Sequence, residues 1–325
     1  MISGKHMVIF LLSFVAFGCN FIGGGDSEAD RAGKRSKPGE LPAKCPIYTE
    51  WPFDDAEAKR RQEETAAALG VPVETRIPLG DGVYVDLVLI PAGKFVMGLK
   101  GVLQSNEPRE EKILRPFYIG KYEITWRQYA VHRVKNATRC NRILDATRRG
   151  GADKMSLPVD TIVWDTCDGF CIAVSKALGC TVRLPGEAEW EFACRAGTTG
   201  RYIWNDTVAE GEANAHSWVG KDGKVIRRSP LVEKGGGYRA NPWGAYDMIG
   251  NVREWVFDMY TDGEYFRTIR GSGLKQTVAC RMGELRSNCM GRTGFRIAVD
   301  IDSGLLKLLA KERKKKQQTT TAPKP

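Results

Sequence analysis

The sequence predicts a loop-rich α+β domain, and three observations carry that prediction. Short β-favouring runs, "YVDLVLI" and "KFVMG" among them, alternate with a few stretches of helical period. Between Gly197 and Trp243 the chain is dense in Gly, Asn, Asp and Pro, a length that loops inside a domain reach when function or an ion holds them. With 325 residues, 42% of them hydrophobic, the chain can bury a core as one large domain or two small ones.

Residues 1–18 read as a signal peptide. In "MISGKHMVIFLLSFVAFGCN" Lys5 precedes an apolar run from Met7 to Phe17, shorter than the ~20 residues a bilayer span needs. The ending Ala16-Phe17-Gly18-Cys19 resembles a bacterial lipobox. It implies that Cys19 becomes the lipidated first residue, which anchors the protein to the membrane of the bacterial cell envelope, periplasmic or surface-exposed. Ordinary signal cleavage with an incidental cysteine is the alternative. Residues 19–44, rich in Gly, Ser and charge, form a flexible tether.

The formal net charge is +10, but Lys5 and a tail (Lys311–Pro325) of six basic residues and one acid account for six of it. Basicity is therefore chiefly a property of the tail, and nucleic acid is not an expected partner. Eight cysteines follow Cys19. Export would place them where disulfides persist, with a pairing that spacing cannot decide, and buried thiols are the alternative. No CxxC pair has zinc-like spacing, and His6, His132 and His216 are scattered.

Residues 45–82 form an N-terminal helical extension. Its helix, "DDAEAKRRQEETAAALG", is made of strong helix formers, ends at Gly70 and lies outside the main core. The main domain spans 83–300. "YVDLVLIPAGKFVMG" gives two apolar runs separated by Pro91-Ala92-Gly93, a hairpin signal. "RPFYIGKYEITWRQYAVH" is a strand followed by a helix with Thr125 as N-cap. Residues 135–154 are a basic surface insertion. "PVDTIVWDTCDGFCIAVSKALGC" is a strand and then a helix whose Cys167, Phe170, Cys171, Val174 and Leu178 recur at three and four, a core stripe rather than a redox pair. "RLPGEAEWEFACRAG" starts a helix after Pro185, with Glu187 and Glu189 near its positive end and Trp190, Ala193 and Cys194 inward. Residues 301–325 form a basic disordered tail.

Five motifs, in order, resemble the formylglycine-generating enzyme, or sulfatase-modifying factor, family: "IPAGKFVMG", "PFYIGKYEITWRQYAVH", "PVDTIVWDTCDGFCIAVSKALGCTVRLPGEAEWEFACRAGT", "NPWGAYDMIGNVREW" and "RTIRGSG…TGFRIA". The resemblance runs from about Val83 to Val299. It implies a loop-rich α+β fold related to C-type lectin-like domains. It also implies structural calcium, held by the side chains of Asp247 and Glu254 and the carbonyls of Gly250 and Val252, a donor set that suits a cation seeking six to eight oxygens. A second site would use Asn214 and the carbonyl of Ala215. The rival role for Glu254 is a buried carboxylate that caps loop amides, and Asp258 reads as a solvated residue.

Aerobic members of that family bind copper(I) through two cysteines five apart and oxidise a substrate cysteine to formylglycine. Here "RGSG" stands for their Arg-Gly-Gly-Ser, and counting on places Gln276 and Arg281 at the two thiol positions. Neither side chain replaces a soft thiolate, so no copper is expected. Three function classes follow. One is a ligand-binding protein that displays the Ser272–Arg292 segment through Lys275, Gln276, Arg281, Glu284, Arg286 and Arg292, with a protein, peptide or glycan as ligand. In some relatives this segment is varied by diversity-generating retroelements. A second is an oxidoreductase: one that generates formylglycine on a sulfatase cysteine, which needs Cys280 and Cys289 to pair, or an iron-dependent sulfoxide synthase, which needs histidines this chain lacks. The third is a structural envelope lipoprotein.

Overall fold

The computed structural model describes residues 45–101, 105–203, 218–219, 225–227, 234–261, 263, 265–271, 277–288 and 291–321. Cys19, Asn214, Lys275, Gln276 and Cys289 lie outside the described residues.

In chain order the elements begin with β1 (Ile47–Tyr48), α1 (Asp55–Leu69), β2 (Glu74–Gly80), β3 (Val83–Ile90), β4 (Ala92–Met97), β5 (Arg109–Ile113) and β6 (Phe117–Gly120). Next come α2 (Trp126–Val131), α3 (Thr138–Arg149), α4 (Ala152–Met155), α5 (Trp164–Leu178), β7 (Val182–Arg183) and α6 (Glu187–Arg195). The last are β8 (Trp218–Val219), β9 (Val225–Arg227), β10 (Arg253–Met259), β11 (Phe266–Arg270), β12 (Met282–Leu285), β13 (Thr293–Gly294), β14 (Ala298–Asp300) and α7 (Ser303–Thr321). The strands form sheets of order β2-β3-β6-β14-β7, β12-β11-β10-β13 and β1-β4-β5, with β8 and β9 as a pair. Mixed helix and short strand, separated by long irregular segments, is the α+β fold the sequence predicts.

Both faces of β3 are buried from Leu87 to Ile90, which explains that apolar run. Successive side chains of a strand point to opposite faces. Leu87 and Leu89 enter one core with Tyr118, Phe170, Trp255 and Val299. Val88 and Ile90 enter a second with Phe117, Trp190, Phe192 and Trp243.

Helix α1 has the boundaries read from the sequence. Asp54 caps it by accepting from Glu57 N at 2.8 Å, and Gly70 closes it at φ +65°. It does not lie outside the core, because Ala58 and Ala66 are buried in the two clusters. Its Gln62 also donates to the carbonyls of Leu89 (2.8 Å) and Trp243 (2.9 Å). Strand β2 pairs with β3 in the five-stranded sheet, and β1 pairs with β4 in another, so both strands before residue 82 are paired with strands of the main domain. The hairpin reading fails as well: β3 and β4 are adjacent in sequence but belong to different sheets.

Thr125 caps α2 with a reciprocal Gln128 box. Leu178 is partly buried and the other four residues of the predicted α5 stripe are buried. The basic insertion holds α3 and α4, and α3 turns Cys140 and Leu144 inward. The C-terminal tail is helical through Thr321. Leu305 and Leu309, one turn apart, enter the first core, and Asp302 caps the helix by accepting from Leu305 N at 2.8 Å. Two leucines on one face give enough burial to order what the charge pattern alone reads as disordered.

Candidate functional site

Two buried charge networks meet around the segment from Ala245 to Arg281. The first lies under the Gly-Asn turn. Asp247 (φ +54°), Gly250 (φ +97°) and Asn251 (φ +53°) take left-handed conformations, which Gly and Asn tolerate best. The turn is pinned by Gly250 N donating to Gly271 O at 3.1 Å and Tyr246 N to Lys121 O at 2.9 Å. Asp247 Oδ2 accepts from Gly236 N at 2.8 Å.

Glu254 follows on β10. Its Oε2 accepts from Trp190 Nε1 and Arg296 Nε, both at 2.7 Å, and its Oε1 from Arg296 Nη2 at 2.6 Å. Arg296 also donates to the carbonyls of Gly120 (2.9 Å) and Tyr246 (3.0 Å). Burial works against the Arg296 charge, and the Glu254 carboxylate more than restores it, so the guanidinium sits above its ordinary range. Both Glu254 oxygens thus accept from nitrogen donors, a buried-carboxylate role.

A residue the sequence reading missed lies beside this pair. Glu123 is 1% exposed, and neither of its carboxylate oxygens has a hydrogen-bond partner among the described residues. Burial first, then the Asp247 carboxylate, pushes its carboxyl well above the usual range. Its only sequence signal is an acid inside the apolar run "YEI". An orphaned carboxylate near a second one is a hard, anionic donor set of the kind that suits a calcium ion. No three His, Cys, Asp or Glu side chains among the described residues are arranged to hold a metal. Carbonyls such as those of Gly250 and Val252 would therefore have to complete the shell.

The second network runs along α6. Arg281 donates from Nε to Glu187 Oε1 at 2.6 Å and from Nη2 to Oε2 at 2.9 Å. Glu187 also accepts from Arg270 Nη1 at 3.1 Å, and Arg270 pairs with Glu191. Glu191 in turn accepts from Arg195 Nε at 2.9 Å and from Gly98 N at 2.7 Å. Helix α6 supplies both glutamates from one face, four residues apart. Arg281 is closed over Tyr260, with its guanidinium carbon 4.4 Å from the ring centre. Asp258 is more than solvated: its Oδ2 accepts from Glu187 N at 2.5 Å and caps the first turn of α6.

Burial pushes the Cys280 thiol up and that of Cys194 to about 12. Cys167, Cys171 and Cys194 are free, buried thiols, as the core-stripe reading expects for the first two.

The other predicted ligand-binding side chains lie along β12 and the turn after it. Glu284 accepts from Leu285 N and Asn288 Nδ2, both at 3.0 Å. Arg286 donates to Asp165 at 2.9 Å and lies over Trp164. Arg292 sits at φ +60°, and its carbonyl accepts from Arg253 N at 2.8 Å. Much of the polar chemistry of this segment is thus used internally. Large apolar side chains on β12 and the neighbouring β11 are exposed and were not singled out in the sequence: Tyr265 at 73%, Phe266 at 43% and Leu285 at 39%. Phe266 and Leu285 face each other across β11 and β12.

The profile of the sulfatase-modifying factor enzyme 1-like domain matches residues 81–301. Inactive C-alpha-formylglycine-generating enzyme 2 of Bos taurus is 26% identical over 280 residues, covering 68% of this chain and 90% of that protein. Formylglycine-generating enzyme of Mycobacterium tuberculosis is 30% identical over 222 residues, covering 53% and 73%. Serine/threonine-protein kinase pkn1 of Chlamydia caviae is 28% identical over 192 residues, 54% of this chain but 28% of the kinase, so the chain spans under a third of that relative. Among solved structures, Treponema denticola variable protein 1 has TM-score 0.58 at 20% identity and covers 71% of this chain and 100% of that one. PvdO from Pseudomonas aeruginosa has TM-score 0.54 at 21% identity and covers 70% and 98%.

Proposed function

Because the chain belongs to the sulfatase-modifying factor enzyme 1-like family, we propose that it is a non-catalytic member of it, a ligand-binding protein anchored by lipid at Cys19 to the bacterial cell envelope. One observation carries the reading. Arg281, counted to the place of the second copper-binding thiol, is locked to Glu187 by two hydrogen bonds. A guanidinium cannot ligate copper(I), which wants soft thiolates. The similarity to two proteins named inactive formylglycine-generating enzyme 2 supports the same conclusion. Formylglycine generation would need Cys280 as a thiolate, and burial of that thiol opposes it.

The binding surface lies at the start of β11 and along β12 and the turn after it, residues 265–266 and 282–288. Exposed Tyr265, Phe266 and Leu285 supply rigid contact area, since aromatic side chains bury much surface at low entropic cost. Glu284, Arg286 and Arg292 border them with polar and charged groups; the ligand-binding set also includes Lys275 and Gln276, which lie outside the described residues. An apolar centre with a charged border suits a protein, peptide or glycan ligand. The narrower form, in which a retroelement diversifies this segment, predicts a reverse transcriptase gene and a template repeat beside this one. Calcium, held by Asp247 and Glu123 with carbonyls of Gly250 and Val252, would supply two positive charges that pin the loops. It would do no chemistry.

Panning against peptide and glycan arrays tests the surface. The wild-type chain is expected to select a ligand that Tyr265→Ser/Phe266→Ser does not bind, with both proteins melting alike. Equal binding by the double variant would remove this surface from the function.

A further inference from the structure

The charge ledger conceals a local excess. Residues 133–154 hold seven Lys or Arg and two Asp, a net of +5. Everything between the signal peptide and the tail nets only +4, so the rest of the domain is close to neutral. The structure concentrates this excess. Cys140 and Leu144 fix α3 against the core, which turns Arg139, Arg142, Ile143, Ala146 and Thr147, at i, i+3, i+4, i+7 and i+8, onto one neighbouring face. Those five residues and Lys154 line an open groove of about 500 Å3.

The lining is specific in its chemistry. Lys154 is folded back along its own turn, and its aliphatic stem covers Gly150, where any Cβ would collide with it. Thr147 Oγ1 is turned to the carbonyl of Ile143 at 2.9 Å, so the floor between the cations is largely aliphatic. No carboxylate lines the groove. Of the two nearby acids, Asp145 pairs with Arg148 at 3.8 Å, and Asp153 is exposed outside the lining. Arg139, Arg142 and Lys154 have no ion-pair partner among the described residues. Like charges one turn apart on a helix repel, and nothing described in the fold relieves them.

We propose that this groove binds a phosphate-bearing anion. Three cationic heads exceed what a single carboxylate neutralises, whereas a phosphoryl group brings ~1.5–2 negative charges and three acceptor oxygens. The space is larger than an inorganic phosphate requires and falls in the ~300–1,000 Å3 range of organic-ligand sites. The floor of Ile143 and Ala146 takes the organic part of the ester. Such an ester reaches the groove either as a soluble compound or as the headgroup of an anionic lipid.

The test uses the full chain, a groove variant Arg139→Gln/Arg142→Gln/Lys154→Gln, the single reversal Lys154→Glu, and a charge-matched control Lys112→Gln/Arg127→Gln/Lys176→Gln. Phenyl phosphate and inorganic pyrophosphate are titrated by calorimetry. Vesicles of phosphatidylglycerol are compared with vesicles of phosphatidylcholine by co-sedimentation. Binding of the soluble probes assigns a soluble ester, and binding confined to phosphatidylglycerol vesicles assigns a headgroup. In whichever arm binds, the groove variant and Lys154→Glu are expected to weaken binding about ten-fold or more, while the control changes it less than about three-fold. No binding in either arm, or equal losses in the groove variant and the control, overturns the proposal.

Discussion

Glu254 and Arg296 are each at most 1% exposed; Arg296 donates two short hydrogen bonds to the Glu254 carboxylate and Trp190 donates a third. Removing one partner of such a pair strands the other charge in the core. Glu254→Gln is therefore expected to lower stability by ~3–5 kcal/mol, read as a drop in the urea midpoint at unchanged slope. A loss below ~1 kcal/mol would mean that the pair is solvated. Glu123 makes a prediction of opposite character. Without a cation its folded-state pKa lies above the unfolded one, so folding takes up a proton. Its contribution is then complete below the unfolded value of ~4.3 and is lost as pH rises toward the folded value. Calcium in place of the proton would cancel that slope and, at a hundred times its dissociation constant, add ~2.7 kcal/mol. Urea midpoints from pH ~4.5 to ~7.5, with chelator or calcium, measure both effects, and Glu123→Gln should abolish both. A calcium effect that survives in Glu123→Gln would move the cation to other ligands. The Gly-Asn turn and its acids were legible because their signal is local. Glu123 was not, because its partners arrive from distant segments and only the fold brings them together.

At the level of elements, helix ends were the most legible feature. Asp54, Gly70 and Thr125 act as caps where the sequence placed boundaries, since a cap is chemistry between near neighbours. Sheet membership was not legible. The Pro91-Ala92-Gly93 break reads as a hairpin, yet it carries the chain from one sheet to another, a choice set by which face each strand buries. The tail was misjudged for a related reason: its lysines dominate the composition, while Leu305 and Leu309 decide the packing. Leu305→Ala, at a site with 0% exposure, is expected to cost ~2–5 kcal/mol. A thermal midpoint equal to wild type would return α7 to the status of an undocked tail.

For the whole molecule, we propose a lipid-tethered domain whose loops are held by buried charge, with the Arg281–Glu187 ion pair at the place of one family thiol. The anchor is tested by mass spectrometry of the membrane fraction. A diacylglyceryl group on Cys19 is expected, and a mature chain without it would leave the domain untethered. The family and fold could be read from five motifs because their order is a property of the whole chain. The identity of the ligand could not, because a binding surface is assembled from exposed side chains that no local rule constrains.

The measurement that bears most directly on the central claim is turnover. Purified full-length protein, loaded with copper(I) under reducing conditions and then exposed to oxygen with a sulfatase-type cysteine peptide, should leave the peptide mass unchanged and hold no bis-thiolate copper. Conversion of the cysteine to formylglycine, abolished by Cys280→Ser or Cys289→Ser, would contradict the account and make the protein an enzyme.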